Sequence, residues 1–273
     1  MVKTTSGYVT VGGAKLYYEM AGEGQTMVLC HAGFVDSGMW DGQWDVFAQH
    51  YRVIRFDMRG YGKSDPATGP VSRRNDLYQV LTQLNVERAI LLGCSMGGES
   101  VLDLALEHPE MASALILVSA APTGFEMQGE PPRYLMEMIE AAAQGDVERA
   151  SELQIRIWVD GMYREPEQVD AEVRAHAARM NRIPVENRTF LVADSQPTNP
   201  PEPPAVGRLG DIRVPTLIIA GALDHPEIVR AADVMAREIK GAQKVIIQNA
   251  AHVPNMEHPA EFNQAVLGFL GVV

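Results

Sequence analysis

The chain has 273 residues, 46% of them apolar and 21% charged, with a formal net charge of -12. That composition belongs to a soluble globular protein, long enough for one large α/β domain with an insertion and able to bury its core without disulfides or metals. Its 23 basic residues are scattered and the acid excess repels phosphate backbones and anionic lipid, so neither nucleic acid nor a membrane is an expected partner.

The opening segment "MVKTTSGYVTVGG" lacks the apolar run of a secretory signal, and no window approaches the roughly 20 apolar residues of a membrane span. Cys30 and Cys94 are the only cysteines, too few for a disulfide framework. A cytoplasmic enzyme or binding protein is therefore expected.

Along the chain, "GYVTV" and "AKLYYEM" read as an antiparallel pair around the "VGGA" turn. "TMVLCHA", "YRVIRFD", "RAILLGC" and "SALILVSA" are short apolar runs with polar or glycine punctuation, as expected of strands buried on both faces of a parallel sheet. Helices are expected between them. In "SRRNDLYQVLTQLN", Leu77, Val80, Leu81 and Leu84 share a face, and in "GGESVLDLALEHPE" so do Val101, Leu104 and Ala105, before Pro109 stops the helix. Repeated β-α-β spacing implies a mostly parallel sheet with helices on both sides.

After Pro122 the pattern turns helical and acidic, through "RYLMEMIEAAAQ", "DVERASELQIRIWVDGM" and "AEVRAHAARMNRI", and closes on "PTNPPEPPAVG", a stiff connector. Alternation resumes with "VPTLIIAG", a helix across "PEIVRAADVMAREI", the strand "KVIIQNA" and a last helix "PAEFNQAVLGFL". Residues 1–124 and 208–273 are thus expected to form one α/β core, with 125–207 as a helical insertion.

The turn "RAILLGCSMGGESVLDLALEHPE" carries the chemistry. Gly93, Gly97 and Gly98 do not make G-x-G-x-x-G, and no Gly-Lys-Ser/Thr follows, so dinucleotide and phosphate-loop readings fail. G-x-S-x-G does fit, as Gly93-Cys94-Ser95-Met96-Gly97. A nucleophilic serine must stand above the sheet on a strained strand-to-helix turn, and small neighbours let the backbones approach. The helix behind it aims free N–H groups at developing negative charge.

At this point the sequence resembles the α/β-hydrolase family over essentially its whole length. The resemblance is carried by "LCHAGF", "FDMRGYGKSD", "GCSMGG", "IIAGALDHPE" and "NAAHVPNMEHP". It implies an eight-stranded, mostly parallel sheet with the insertion as a helical lid, and a Ser-Asp-His triad in that chain order. Ser95 is the implied nucleophile, His252 its base and Asp224 the acid that orients the imidazole. His258, before Pro259, is the rival histidine, and Asp224 could instead simply cap the helix near Pro226. Some relatives carry the acid after the sixth strand, where this chain reads "SAAPTG".

Similarity to the family further implies an oxyanion hole from the N–H groups of Met96 and Gly33, with Phe34 as alternative to Gly33, since Ala32 stands where relatives usually carry glycine. His31 would fix that loop by hydrogen bonds. Phe34, Trp40, Met96, Met136, Met138, Trp158 and Met162 are candidates to line an apolar pocket, although such residues are more often plain core. Cys30 and Cys94 would end neighbouring strands, as a redox pair or as two buried thiols.

No histidine spacing supports a metal site, and no cofactor is called for. The expected activity is hydrolysis of a small carboxylic ester or lactone through an acyl-enzyme (EC 3.1.1), by a monomer or homodimer. A serine in place of a carboxylate nucleophile argues against dehalogenase and epoxide hydrolase chemistry. Carbon–carbon hydrolase and perhydrolase activities share the machinery, and a ligand-sensing regulator on the same fold is the alternative from another class.

Overall fold

The computed structural model describes residues 2–195 and 198–272. Strands β1 (Thr4–Val11) and β2 (Ala14–Ala21) pair antiparallel, with Val11 opposite Ala14. Gly12 and Gly13, at φ of 53° and 84°, supply the left-handed backbone that a two-residue hairpin turn requires. There follow β3 (Thr26–Cys30), α1 (Asp41–Phe47), β4 (Arg52–Phe56), α2 (Arg73–Gln83), β5 (Ala89–Cys94), α3 (Met96–Glu107) and β6 (Ala112–Val118). α2 is capped by the Ser72 hydroxyl, which accepts from the Asn75 N–H.

The eight strands, completed by β7 (Thr216–Gly221) and β8 (Gln243–Ile247), lie in the order β1-β2-β4-β3-β5-β6-β7-β8. β2 runs antiparallel to both its neighbours, and all pairs from β4 onward are parallel. From β3 the chain goes to β4 on one side and later to β5 on the other. The order reverses between β3 and β5, which opens a crevice beyond their carboxyl ends, the usual place for a ligand in such sheets.

Alternate residues of the central strands serve opposite faces. Met27, Leu29, Ile90 and Leu92 join Phe47 of α1 and Phe262 of the last helix, α9 (Pro259–Phe269), on one side. Val28, Cys30, Ala89 and Leu91 join Leu77, Val101 and Ala232 on the other. Continuous apolar runs in the sequence are the signature of this double burial. Ala232 belongs to α7 (Pro226–Glu238), and the four-residue α8 (Pro254–Glu257) precedes α9.

Between β6 and β7 stand α4 (Leu135–Gln144), α5 (Val147–Ile155) and α6 (Ala171–Glu186). Met138, Ala141, Ala142, Ala150 and Leu153 give this segment a small core of its own. Both α5 and the chain beyond α6 run into π-helical turns, Arg156–Asp160 and Phe190–Asp194. The fully buried Asp160 carboxylate accepts from Arg174 at 2.7 and 3.2 Å, tying α6 to the first of these turns.

α6 runs on through Pro184 to Glu186, beyond the stretch "AEVRAHAARMNRI", because Pro184 and Val185 are buried and their packing offsets the missing N–H. The connector's first residue, Pro197, lies outside the described residues. Its end is pinned where the segment began: the Ala205 N–H donates to Thr123 Oγ1 and the Val206 N–H to the Thr123 carbonyl, both at 3.0 Å.

Candidate active site

β5 ends at Cys94 and α3 begins at Met96, so Ser95 alone makes the turn, at φ 53° and ψ -119°. A left-handed φ is costly for a residue with a side chain and persists only where the surroundings fix it. Here they do. A Cβ on Gly93 would stand 2.2 Å from the Gly97 carbonyl oxygen, and one on Gly97 would stand 2.3 Å from that of Cys30. Strand and helix can meet this closely only through glycine, which answers why the apolar run stops in small residues.

The Ser95 N–H donates to Val118 at 2.8 Å and its carbonyl accepts from Glu99 at 2.9 Å, locking the turn from both sides. Met96, first in α3, has an N–H with no partner in its own helix.

The crevice's other wall is the loop after β3. His31 is fully buried, and its Nε2 accepts from the Met58 N–H at 2.9 Å, so Nδ1 carries the proton and donates to the Ala32 carbonyl at 2.8 Å. Burial above all lowers its pKa to about 4, which keeps the ring neutral. Asp57 accepts from the Ser37 and Lys63 N–H groups at 3.0 and 2.8 Å, joining the loop after β3 to "FDMRGYGKSD".

In a trans peptide the N–H faces opposite the carbonyl. With the Ala32 carbonyl held by His31, the Gly33 N–H is directed the other way. The Gly33 carbonyl is held by the Tyr61 hydroxyl at 2.7 Å, which likewise turns the Phe34 N–H away from Tyr61. A Cβ on Gly33 would sit 3.3 Å from Met96 Sδ, so Gly33 is packed directly on the residue after Ser95.

Asp224 and His252 come from the turns after β7 and β8. A Cβ on Gly221 would lie 2.1 Å from the Ala251 carbonyl, so the two turns touch only because that residue is glycine. His252 Nδ1 stands 3.0 and 2.9 Å from the Asp224 oxygens, with both residues buried. Asp224 Oδ1 also accepts from the His225 N–H at 2.7 Å. With Nδ1–H committed to the carboxylate, Nε2 is the free basic atom. His258 instead stands at the N-cap position of α9, without a side-chain bond to the helix.

Four polar bonds hold this assembly. The Ala251 N–H donates to Glu257 at 2.7 Å, and Arg164 reaches the same carboxylate at 2.6 Å. Arg164 also donates to the Asp160 and Val159 carbonyls at 2.9 and 2.8 Å, coupling the histidine turn to the π-helical turn that carries Trp158.

Ser95 opens into a cavity of about 160 Å³, walled by Gly33, Phe34, Met96, Met138, Trp158 and Phe190 among others. The Trp158 ring lies 4.8 Å from the His252 ring, centroid to centroid, and Phe34 lies 6.5 Å from it. The imidazole thus backs two aromatic walls of the serine's cavity. Among the described residues no hydrogen bond joins Ser95 Oγ to His252.

Three pocket expectations are corrected. Trp40 is completely buried against Phe262, 6.2 Å away, in the core beneath α9. Met136 is 70% exposed on the outer face of α4, and Met162 is also turned outward. Helical spacing places Met136 and Met138 on different faces, and only Met138 points inward.

Asp194 and Gln154 also line the cavity and were not anticipated. Asp194 Oδ1 accepts from Arg73 Nε and Nη2 at 2.9 and 2.6 Å, and Oδ2 lies 2.7 Å from the Tyr61 hydroxyl. Gln154 Oε1 accepts from Asn181 at 2.6 Å, and the same Asn181 amide donates to the Phe34 carbonyl at 2.7 Å. Cys30 and Cys94 are buried and reduced, and burial drives both thiols far above the ordinary range. Such thiols are poor nucleophiles, which weighs against a redox pair.

Comparison with known proteins agrees with the fold. A family model described as alpha/beta hydrolase fold matches residues 25–259. A 2-hydroxy-6-oxononadienedioate/2-hydroxy-6-oxononatrienedioate hydrolase of Paraburkholderia phymatum is 30% identical, covering 98% of this chain and 96% of its own. A pimeloyl-acyl-carrier-protein methyl ester esterase of Yersinia enterocolitica is 29% identical, over 93% of this chain and 97% of its own. The solved structure of Est816, described as an N-acyl homoserine lactone degrading enzyme, superposes with a TM-score of 0.80 at 28% identity, covering 96% of this chain and all of the other. The chain belongs to the α/β-hydrolase family, and it is a hydrolase. Among the described residues, no helix is long and apolar enough to cross a membrane.

Proposed function

We propose that the chain is a carboxylesterase-type serine hydrolase acting on small carboxylic esters or lactones, with Ser95 as nucleophile and His252 and Asp224 completing its triad. The observation that carries this reading is the left-handed Ser95 turn, opening into a cavity whose aromatic walls rest on an imidazole held by a buried carboxylate. His252 Nε2 takes the hydroxyl proton as Ser95 Oγ bonds to the carbonyl carbon, and returns it to the leaving oxygen as that bond breaks. Water then repeats the sequence on the acyl-enzyme. A nucleophile–base contact that is open in the free enzyme commonly closes when substrate binds.

The N–H groups of Met96 and Gly33 are proposed to hold the oxyanion. Packing of Gly33 on Met96 supports Gly33 over Phe34 for the second donor. The helical segment 125–207 acts as a lid, since α4, α5 and the two π-helical turns supply Met138, Gln154, Trp158, Phe190 and Asp194 to the cavity. The likeness to the Paraburkholderia enzyme supports a second reading, in which the same residues cleave a carbon–carbon bond.

A panel of short esters and lactones tests the proposal, run on wild type, Ser95→Ala and Asp224→Asn. Ser95→Ala should abolish turnover, and an organophosphate should label Ser95 alone. Asp224→Asn should lower kcat by about four orders of magnitude through the wrong imidazole tautomer. Undiminished turnover by Ser95→Ala would remove the proposal.

A further inference from the structure

A second cavity lies beside the first and is not used by the chemistry above. It measures about 290 Å³ and is walled by Met127, Pro131, Leu135, Trp158, His225 and Ile228. Trp158 and Leu135 line both spaces, so a single indole and a single isobutyl group stand between this chamber and the cavity of Ser95.

The chamber is built rather than incidental. The loop before α4 is clamped onto α7 by three hydrogen bonds: the Gln128 N–H to Glu227 at 2.9 Å, His225 Nε2 to the Glu130 carbonyl at 3.0 Å, and Arg230 to the Glu126 carbonyl at 2.6 Å. Its partition, Trp158, sits on a π-helical turn, a backbone form found frequently at functional sites.

The two spaces border different parts of the proposed site. In serine acyl transfer the imidazole lies between the nucleophile and the leaving oxygen, because it takes the proton from one and gives it to the other. Ser95, Gly33 and Met96 line only the first space, whereas the second is lined by His225, the residue after Asp224, which sets it toward the acid and its imidazole. Gln154 and Asp194 give the 160 Å³ cavity a polar wall, and it is the smaller of the two, so it suits the smaller group.

Resting on the hydrolase reading above, we infer that the second chamber binds an apolar arm on the leaving alcohol, while the acyl group is small. The substrate class is an ester of a short acid with an alkyl or aryl alcohol, or a lactone with an apolar tail on its alcohol carbon.

Two series of esters test this with wild-type enzyme: acetates of ethanol, butanol, hexanol and octanol, and ethyl esters of the acids of matching length. kcat/KM should rise along the acetate series by about fourfold per buried methylene until the chamber is full, and should stay flat or fall along the ethyl series. Gly129, which lines the chamber from the loop before α4, and Ile228 of α7 are the two test positions: Gly129→Leu and Ile228→Trp should each cut the hexyl-to-ethyl acetate ratio at least tenfold, with thermal unfolding showing that the variants are folded. A rise confined to the ethyl series, no rise in either, or a rise that survives both substitutions overturns the inference while leaving the hydrolase reading standing. Failure to hydrolyse any ester in either series removes both.

Discussion

The Tyr61 hydroxyl lies 2.7 Å from an Asp194 carboxylate oxygen and 2.7 Å from the Gly33 carbonyl. It has one proton for two acceptors, and it is fully buried against the His31 ring at 5.0 Å. One phenol therefore links a carboxylate of the inserted segment to the peptide group packed on Met96. Tyr61→Phe removes the donor from both. Loosening the Gly33 loop should lower kcat by about tenfold to a hundredfold, short of the loss from deleting an oxyanion donor outright. KM should change less than kcat. The unsatisfied acceptors should cost about 1–3 kcal/mol of stability, read from denaturant midpoints.

Glu99 stands one turn into α3 with Asp103 on the same face, beside Arg73 and Arg74 in a small cleft. Burial first, then the charges of Asp103 and Asp194, push its carboxyl from 4.5 up to about 7. Between those values the folded chain keeps a proton that the unfolded chain has released, so stability falls as pH rises through that window. Asp103 adds to the trend, since burial raises it to about 6 despite the Thr123 hydroxyl donating at 2.9 Å. Glu99→Gln should accordingly be nearly neutral at pH 4 and stabilising at pH 8, by up to about 3 kcal/mol. Urea unfolding at the two pH values measures the difference; equal effects at both would contradict it.

Asp160 is fully buried, and Arg156 stands 3.6 Å away in addition to Arg174. Asp160→Ala removes the buried carboxylate that Arg174 and Arg156 share, leaving them their outer partners Glu152 and Glu165. The expected destabilisation is about 3 kcal/mol, the low end for a broken buried pair, because Arg174 keeps a fifth of its side-chain surface in water. Calorimetry should show the lowered transition. Trp158 shares the π-helical turn, so its fluorescence should shift at temperatures where the wild type is still folded.

The sheet was legible because its central strands are apolar on both faces, and the Ser95 turn because a Cβ on Gly93 or Gly97 would stand only 2.2 or 2.3 Å from a backbone oxygen. Asp224 and His252 were legible as polar residues just past apolar strands. Asp194 was not. Its partners Arg73 and Tyr61 lie 121 and 133 positions away, and it faces the cavity from a π-helical turn that a period of 3.6 does not describe. Gln154 was hidden similarly, since only its bond to Asn181 fixes it beside Phe34. Trp40 misled for the opposite reason: aromatic bulk marks burial, and burial is the same signal whether the neighbour is substrate or α9.

Cys30 and Cys94 end two adjacent central strands, in register to within one residue and out of contact with water. A thiol-reactive dye can reach them only when the middle of the sheet comes apart, so the folded molecule carries its own gauge of rare global opening. The pace of dye uptake under native conditions would report how often that opening occurs, without denaturant and without an added probe site.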